Sequence, residues 1–170
     1  MIRKSLYTTL VGCFLFCFSA NAQTTNHAAY SLFVVNFAKY ASWPQAGSDF
    51  KIAVLGKSKI YEELLKSTAN KNVNGQPYKV TQIENASEIG DVQIIFIPDN
   101  KSSNLDEVVK ATAGKSIMIV TEREGLAKKG ADFSFLVIDN KLRFDINTSD
   151  LEKRNIKVAG SLAGIANSSI

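Results

Sequence analysis

The chain has 170 residues, 45% of them hydrophobic and 21% charged, which is enough for one domain with a hydrophobic core and too little for two ordinary domains. This balance excludes a disordered chain, and the presence of only 10 glycines and 3 prolines excludes collagen-like and low-complexity sequences. The net charge of +4 is too small for a nucleic-acid-binding surface, and a single histidine excludes most catalytic triads and zinc sites.

The first residues have the pattern of an export signal. Arg3 and Lys4 supply positive charge, residues 10–18 form an uncharged apolar run, and the Ala-Asn-Ala triplet at residues 20–22 is a small-residue cleavage site. The apolar run is too short to span a bilayer. We therefore predict a secretory signal peptide that is cleaved before Gln23, which places the mature protein in the periplasm.

Cleavage divides the sequence into a signal peptide at residues 1–22 and one domain at residues 23–170. The mature domain loses two of the 20 basic residues, so its net charge falls from +4 to +2. It also loses Cys13 and Cys17, the two cysteines of the chain, so it can form no disulfide and has no cysteine ligand for a metal. An alternative stays open, because the tetrapeptide Leu-Val-Gly-Cys ending at Cys13 resembles a lipobox. Lipidation of Cys13 would replace cleavage before Gln23.

Helix and strand patterns alternate through the first half of the mature chain. Aromatic side chains recur at helical spacing over residues 27–42, and this helix is expected to end before Pro44, because the residue preceding a proline avoids the helical conformation. The apolar run at residues 50–55 predicts a buried strand, and Ser58 is placed to cap the helix that follows. Residues 78–83 alternate between apolar and polar side chains, as in a strand.

The second half of the chain begins with the same alternation and then changes. Residues 92–97 and 117–121 predict buried strands, with a helix opening at Ser103 between them. Residues 133–138 and 142–146 predict two strands whose connection is so short that they must form an antiparallel hairpin. We therefore predict an α/β fold: a single compact domain with a mixed, mostly parallel central sheet flanked by helices, and a C-terminal antiparallel hairpin.

Motifs for phosphate binding and hydrolysis are incomplete. Two Gly-Lys-Ser triplets, at residues 56–58 and 114–116, resemble the end of a phosphate-binding loop, but Lys51 and Val109 stand where that loop needs its first glycine. No Gly-x-Ser-x-Gly motif of a serine hydrolase occurs. His27 lies close to the predicted mature terminus, where a general base is poorly held. We expect a protein that is not an enzyme and that needs no cofactor.

One segment has part of a calcium-binding pattern. Asp145, Asn147 and Ser149 have the spacing of the first calcium ligands in an EF-hand loop, but Asp150 stands where that loop needs glycine. Ser149 followed by Glu152 three residues later instead predicts a capping box at the start of a helix. No metal site is therefore expected.

Two groups of aromatic residues remain, one along the first helix and one on the hairpin. Most of these side chains are expected in the core. The first helix is nevertheless apolar over more than one face, because Val35 falls near its polar side, and an exposed apolar patch usually marks an interface. We expect six apolar residues to contribute to a partner-binding surface: Val35, Tyr40, Trp43, Phe133, Phe135 and Phe144.

Short segments with a characteristic order run through nearly the whole mature chain. They are Phe37-Ala38-Lys39-Tyr40, Trp43-Pro44, the strand at residues 50–56, Val73-Asn74-Gly75-Gln76-Pro77, Ile94-Ile95-Phe96-Ile97, Gly125-Leu126, Gly130, Phe133-Ser134-Phe135, residues 142–147 and Gly160-Ser161-Leu162. In this order and spacing the sequence resembles the YfiR-like family of bacterial periplasmic proteins.

The resemblance implies a non-enzymatic periplasmic regulator. The best-known members bind the periplasmic part of an inner-membrane diguanylate cyclase and repress it, and an outer-membrane lipoprotein sequesters them. The resemblance implies a membrane-bound diguanylate cyclase and an outer-membrane lipoprotein as partners. We also expect a sensor kinase as an alternative membrane-bound signalling partner. The apolar first helix adds a second copy of the chain as a further expected partner. Two features depart from the best-known branch: the mature chain lacks that branch's cysteines, and the helix at residues 161–167 is short.

Three kinds of function remain open. One is an adaptor that binds another protein. Another, an uncharacterised hydrolase, is the weakest because the mature chain has one histidine and no cysteine. The remaining one is a small-ligand binder that uses the crevice at the carboxyl ends of the parallel strands. The residues expected to line that crevice are Gly56, Lys57, Ser58, Pro98, Asp99 and Asn100. A deep pocket with converging polar groups would favour the ligand binder, whereas an apolar surface patch would favour the adaptor.

Overall fold

A computed structural model describes residues 27–44 and 47–170 of the chain. The predicted signal peptide at residues 1–22, its cleavage site and Cys13 lie outside the described residues. Within the described ranges, no helix has the length and apolar character needed to cross a membrane.

Helices and strands alternate along the described chain. The helices are α1 (His27–Tyr40), α2 (Lys59–Thr68), α3 (Leu105–Ala111), α4 (Thr148–Lys153) and α5 (Gly160–Ala163). The strands are β1 (Ala41–Ser42), β2 (Phe50–Leu55), β3 (Asn72–Val73), β4 (Gln76–Ile83), β5 (Ile94–Ile97), β6 (Met118–Thr121), β7 (Phe133–Ile138), β8 (Lys141–Ile146), β9 (Lys157–Val158) and β10 (Ser168–Ser169).

Eight strands form one sheet in the order β10-β8-β7-β6-β5-β2-β4-β3. Strands β4, β2, β5, β6 and β7 run parallel to their neighbours, whereas β8 returns antiparallel to β7 as a hairpin. β1 and β9 form a separate two-stranded antiparallel sheet. The predicted fold is therefore confirmed: a single compact α/β domain with a mostly parallel sheet flanked by helices and a C-terminal hairpin.

The two faces of the sheet contribute to two separate cores. Along β2, Ile52 and Val54 belong to the core under α1 and α2, whereas Ala53 and Leu55 belong to the core under α3. All four side chains are buried. A parallel strand that is covered on both faces has no polar side, which explains why β2 and β5 are almost continuously apolar in sequence.

The boundaries of two predicted helices differ from the structure. α1 ends at Tyr40, two residues before the predicted end, because Ala41 and Ser42 pair with β9 as strand β1. The helix predicted to open at Ser103 begins instead as a 3₁₀-helix at Asp99, and α3 continues from it at Leu105.

The predicted capping box is wrong. Ser149 lies inside α4, and Asn147 is the N-cap, with its side-chain oxygen accepting the backbone N–H of Asp150 at 3.0 Å. The Asn147 amide also donates to the carbonyl of Ala127 at 3.0 Å, so the cap is tied to a neighbouring loop. Asparagine and serine cap helices about equally well, and this long-range bond favours asparagine here.

Candidate protein-binding surface

Helix α1 is fixed to the β7–β8 hairpin by an aromatic cluster. The Phe37 ring is fully buried, and its centroid lies 4.0 Å from that of Phe133 and 5.1 Å from that of Phe144. Phe33, one helical turn earlier, packs edge-on against Phe135 at 5.7 Å. Aromatic pairs in such geometries add about 0.5–1.5 kcal/mol each beyond the area they bury.

The aromatic cluster corrects part of the predicted partner-binding surface. Phe133, Phe135 and Phe144 are only 0%, 1% and 1% exposed, so they lie in the core and do not reach a partner directly. The reason is the alternation of side chains along a strand: the hairpin face that carries these rings is the face that α1 covers. The exposed apolar residues of the hairpin are Val137 and Ile138, near its turn.

The other three predicted partner-binding residues lie on α1 and just after it. Val35 is half-buried, whereas Tyr40 at the end of α1 is 44% exposed, with the Lys39 ammonium 5.6 Å from the centre of its ring. The backbone carbonyl of Tyr40 accepts the N–H of Ala159 at 2.8 Å, which ties the helix end to the segment after β9.

Trp43 is half-buried at the exit of α1. Its ring packs edge-on against Phe50, with 5.0 Å between centroids. The indole N–H is buried and has no hydrogen-bond partner among the described residues. A buried donor without an acceptor costs about 1–3 kcal/mol. An acceptor supplied by a bound partner would remove this cost.

Trp43 lines a groove of about 720 Å³, which we call the Trp43 groove. Its walls are residues 42–44 together with α4 and β9. Ile156 and Val158 give it an apolar floor, and Glu152 and Lys157 place one negative and one positive charge at its exposed edge. This arrangement suits a segment with an apolar side and polar flanks.

A second cavity, of about 430 Å³, lies on the other side of the same two residues. It is lined by Trp43, Pro44 and the segments at residues 89–93 and 114–117, which precede β5 and β6. It therefore lies at the amino ends of the parallel strands. Trp43 and Pro44 stand between the two cavities.

A buried ion pair supports the wall of the Trp43 groove. Asp132, which is fully buried before β7, has its carboxylate 3.3 Å from the guanidinium Nε of Arg154, the residue that follows α4. The pair is close but not aligned as a hydrogen bond, since neither Asp132 Oδ1 nor Arg154 Nε has a hydrogen-bond partner within the described part of the chain. Arg154 also donates from Nη1 to the hydroxyl of Thr112 at 3.2 Å, and Asp132 accepts the N–H of Ile119 at 2.6 Å.

Burial decides the protonation of Asp132. Desolvation raises the pKa of this carboxyl from 3.8 to about 7, because the Arg154 charge and the Ile119 N–H offset the desolvation only in part. The carboxyl therefore changes charge near neutral pH. The Asp132–Arg154 ion pair beside the groove wall therefore loses its negative charge as the pH falls through about 7.

Part of the crevice at the carboxyl ends of the strands is occupied by the protein's own side chains. The aliphatic part of Lys101 lies against Gly56, which has φ +71°, so that a side chain at Gly56 would collide with it. Asp99 accepts a hydrogen bond from Arg123 Nε at 2.6 Å, and this bond lowers the pKa of the Asp99 carboxyl. Pro98 is buried, and Asn100 is exposed.

The described acidic and histidine side chains of the Trp43 groove and the carboxyl-end crevice do not form a set of metal ligands. Among residues 27–44 and 47–170, no group of three His, Cys, Asp or Glu side chains is placed to hold a metal ion. Asp145, from the partial calcium pattern, accepts hydrogen bonds from Asn167 and Ser168 at 2.8 and 2.7 Å, which hold β10 beside β8.

Most of the Trp43 groove has no recognisable signal in the amino-acid sequence. Ile156 and Val158 have an ordinary strand pattern, and nothing local marks them as a groove floor. Asp132 carried a signal that was available, because an acidic residue directly before the apolar run at residues 133–136 must be buried with it or turned away from it. The Arg154 partner lies 22 residues later and is not visible in any local pattern.

The architecture defines a class: a small doubly wound α/β domain with an open apolar groove between the end of α1, α4 and β9. A sequence profile places it more closely. The profile of the YfiR/HmsC-like family matches residues 27–167, and the chain belongs to this family. The family is known for periplasmic regulators.

A comparison of folds gives a more distant relative. A crystal structure described as the ABC domain in complex with L-Trp from Streptococcus pneumonia matches with a TM-score of 0.52 at 16% sequence identity. The match covers 71% of this chain and 55% of that one, so the chain spans about half the length of the solved structure. At this identity the likeness is one of fold alone. No curated protein sequence gives a significant match.

Proposed function

We propose that this chain is a non-enzymatic periplasmic regulator that binds another protein at the Trp43 groove. The observation that carries the proposal is the groove itself: an open apolar groove of about 720 Å³, lined by a tryptophan whose N–H has no acceptor among residues 27–44 and 47–170 and lying next to an exposed tyrosine. Tyrosine and tryptophan are enriched at binding sites because they bury a large area while keeping a polar group.

The proposed partner is the periplasmic part of a membrane-bound signalling protein, either a diguanylate cyclase or a sensor kinase. Membership of the YfiR/HmsC-like family supports this choice. An outer-membrane lipoprotein is the proposed competitor for the same regulator, and cyclic-di-GMP signalling is the proposed setting. The mixed charges at the groove edge, Glu152 and Lys157, favour a partner segment with both signs of charge.

Substitutions at the groove are expected to weaken binding without unfolding the protein. Tyr40→Ala removes an exposed ring and is expected to cost about 2 kcal/mol of binding, roughly a 30-fold rise in Kd. Lys157→Glu reverses an exposed charge at the groove edge and is expected to act in the same direction. The measurement is titration calorimetry with the isolated periplasmic domain of a membrane-bound diguanylate cyclase or sensor kinase from the same organism.

Leu32→Ala is the matched control for this experiment, because Leu32 is 56% exposed on the same helix, about two turns before Tyr40, which lies at the helix end beside the groove. It is expected to bind normally. Val35→Asp tests whether the α1 face contributes as well. Normal affinity for both Tyr40→Ala and Lys157→Glu, with folding intact by circular dichroism, would exclude the Trp43 groove as the binding surface.

The proposed periplasmic location predicts a processed N-terminus. The protein recovered from the periplasmic fraction is expected to begin at Gln23, as intact mass spectrometry would show. A species that begins at a lipidated Cys13 would instead place the protein on a membrane and remove the signal-peptide interpretation.

Small-ligand binding is a second candidate, favoured by the volume of the groove. Ligand pockets commonly measure about 300–1,000 Å³, and the Trp43 groove lies in that range. The carboxyl-end crevice has less support, because Lys101 and the Asp99–Arg123 pair occupy it. A small-molecule screen by thermal shift tests this candidate, and a hit whose effect disappears in Lys157→Glu would favour it over the adaptor.

A further inference from the structure

Arg154 lies between two elements that line the Trp43 groove. It follows α4 directly, and its backbone N–H closes that helix by donating to the carbonyl of Asp150 at 3.1 Å. The next residue, Asn155, has φ +58°, in the left-handed region that few residues other than glycine and asparagine adopt. Residues 155–157 then line the groove. The position of Arg154 therefore decides where this part of the groove wall runs.

Two neighbours hold the Arg154 side chain against the core. Its Nη1 donates to the hydroxyl of Thr112, directly after α3, at 3.2 Å, and its Nε lies 3.3 Å from the carboxylate of Asp132. The side chain of Arg154 is only 12% exposed. A guanidinium keeps its charge at all pH values at which the protein is folded. This largely buried charge therefore depends on the carboxylate opposite it.

Asp132 is fixed on its other sides by backbone hydrogen bonds. Its Oδ2 accepts the N–H of Ile119 at 2.6 Å, and its own N–H donates to the carbonyl of Ile119 at 2.8 Å. The carbonyl of Asp132 accepts the N–H of Asn147 at 2.8 Å. Asp132 is thus held between β6 and the end of β8. If the contact between Asp132 and Arg154 breaks, the arginine is the residue that moves.

These bonds direct a proton on Asp132 to the oxygen that faces Arg154. Oδ2 already accepts the N–H of Ile119, whereas Oδ1 has no hydrogen-bond partner within the described part of the chain. Oδ1 is also the atom 3.3 Å from Arg154 Nε. Because the guanidinium has donors and no acceptor, protonation of Oδ1 places two donors opposite each other. It also removes the negative charge that holds the guanidinium.

The charges around Asp132 place this event near neutral pH. Among the described residues, Arg154 favours the ionised carboxyl and Asp150 of α4 disfavours it, while β6 and β8 present backbone groups. Burial is the largest influence and raises the pKa of Asp132 to about 7. Because burial favours the neutral carboxyl, acid does not unfold the domain through this group. The change stays local to Arg154 and the residues that follow it.

We propose that Asp132 and Arg154 form a pH-sensitive switch for the Trp43 groove. While Asp132 is ionised, Arg154 is held inward and the groove has the shape described above. Protonation of Asp132 releases the Arg154 side chain toward solvent and displaces residues 155–157. The partner then binds more weakly in acid, and this last step rests on the proposed function. By linkage, binding of the partner at neutral pH releases a proton from Asp132.

Amide chemical shifts of the wild-type protein between pH 5.5 and pH 8.5 test the switch without a partner. The Ile119 amide reports the protonation of Asp132, because it donates to that carboxylate. The amides of residues 155–157 are expected to titrate with the same midpoint, near pH 7. The amide of Leu64, in α2, is the reference that is expected to stay constant. Constant groove amides while Ile119 titrates would overturn the proposal, and so would an Ile119 amide that does not titrate in this range.

Fluorescence gives a second readout at the groove, since Trp43 is the one tryptophan of the chain. Its emission is expected to change with the same midpoint in wild-type protein and to stay constant in Asp132→Asn, because asparagine does not titrate. His27→Asn and Lys153→Met are the matched controls and are expected to keep the titration. The first removes the one histidine of the chain, and the second removes an exposed cation next to Arg154. A titration that persists in Asp132→Asn, or that disappears in His27→Asn, belongs to another group and overturns the switch.

Calorimetry separates the switch from the proposed function. The titrant is the periplasmic domain of a membrane-bound diguanylate cyclase or sensor kinase from the same organism. Wild-type protein is expected to bind it about tenfold more weakly at pH 6 than at pH 8, as the ionised fraction of Asp132 falls from about nine-tenths to about one-tenth. Asp132→Asn is expected to bind equally at both pH values, which also controls for titration of the partner.

The two proposals fail in different ways in this experiment. Equal affinities of the wild-type protein at pH 6 and pH 8 would overturn the switch and leave the proposed function standing. No binding at pH 8, with groove amides that titrate together with Ile119, would overturn the proposed function and leave the switch in the groove.

Discussion

Phe37→Ala is expected to lower the free energy of unfolding by about 3–5 kcal/mol. The Phe37 side chain is fully buried and stacks on Phe133 at 4.0 Å, with Phe144 at 5.1 Å, so its removal leaves a cavity between α1 and the hairpin. Urea denaturation followed by circular dichroism measures the loss. Leu32→Ala, on the exposed side of the same helix, is expected to stay within about 0.5 kcal/mol of wild type.

This experiment also separates a folding role from a binding role for the hairpin aromatics. Phe144→Ala is expected to lose partner binding only to the extent that it unfolds, because the ring is buried. A loss below about 1 kcal/mol for Phe37→Ala would contradict the packing of α1 on the hairpin. A Phe144 variant that folds normally but fails to bind would contradict a purely structural role for this ring.

Arg154→Met is expected to destabilise the protein by about 3–5 kcal/mol at pH 8, where it leaves the buried Asp132 charge without its partner. At pH 5 the loss is expected to be much smaller, because burial raises the pKa of Asp132 to about 7 and the carboxyl is then neutral. Urea denaturation at both pH values measures the difference. Lys153→Met removes an exposed ion pair with Asp150 and is expected to cost less than about 1 kcal/mol at either pH. Equal losses for Arg154→Met at pH 5 and pH 8 would contradict the argument.

Asp132→Asn tests the same pH dependence of stability by changing the acidic member of the ion pair. A carboxyl whose pKa is 3.8 when unfolded and about 7 when folded binds its proton more tightly in the folded state. Its stabilising contribution is therefore complete below about pH 4 and is lost as the pH rises through 7, by about 4 kcal/mol in all. Asparagine does not titrate, so Asp132→Asn is expected to lack this decline.

The fold could be predicted because its signals are local. Apolar runs at β2 and β5, the helical spacing of α1 and the short connection between β7 and β8 each depend on a few neighbouring residues. The end of α1 was placed two residues too late because β1 exists only through its pairing with β9, more than one hundred residues away in sequence.

The working surfaces could be predicted only in part, because exposure depends on what covers a residue. Phe133 and Tyr40 are both aromatic and both lie in largely apolar elements, yet Phe133 is buried against Phe37 of α1 and Tyr40 is exposed at the end of the helix. The groove floor likewise depends on distant parts of the chain, because β9 is placed there by its pairing with β1.

The packing of α1 on β7 and β8 also decides when the chain can fold. Phe37 and its partner Phe133 are about one hundred residues apart in sequence, and β1 likewise cannot pair until β9 has been synthesised. A chain that emerges from its N-terminus cannot close the core under α1 until the hairpin has followed, so a truncated product exposes the aromatic face of α1 to proteases and chaperones. For the proposed export, the same delay would keep the chain unfolded, as passage through a translocation pore requires, until the hairpin has crossed.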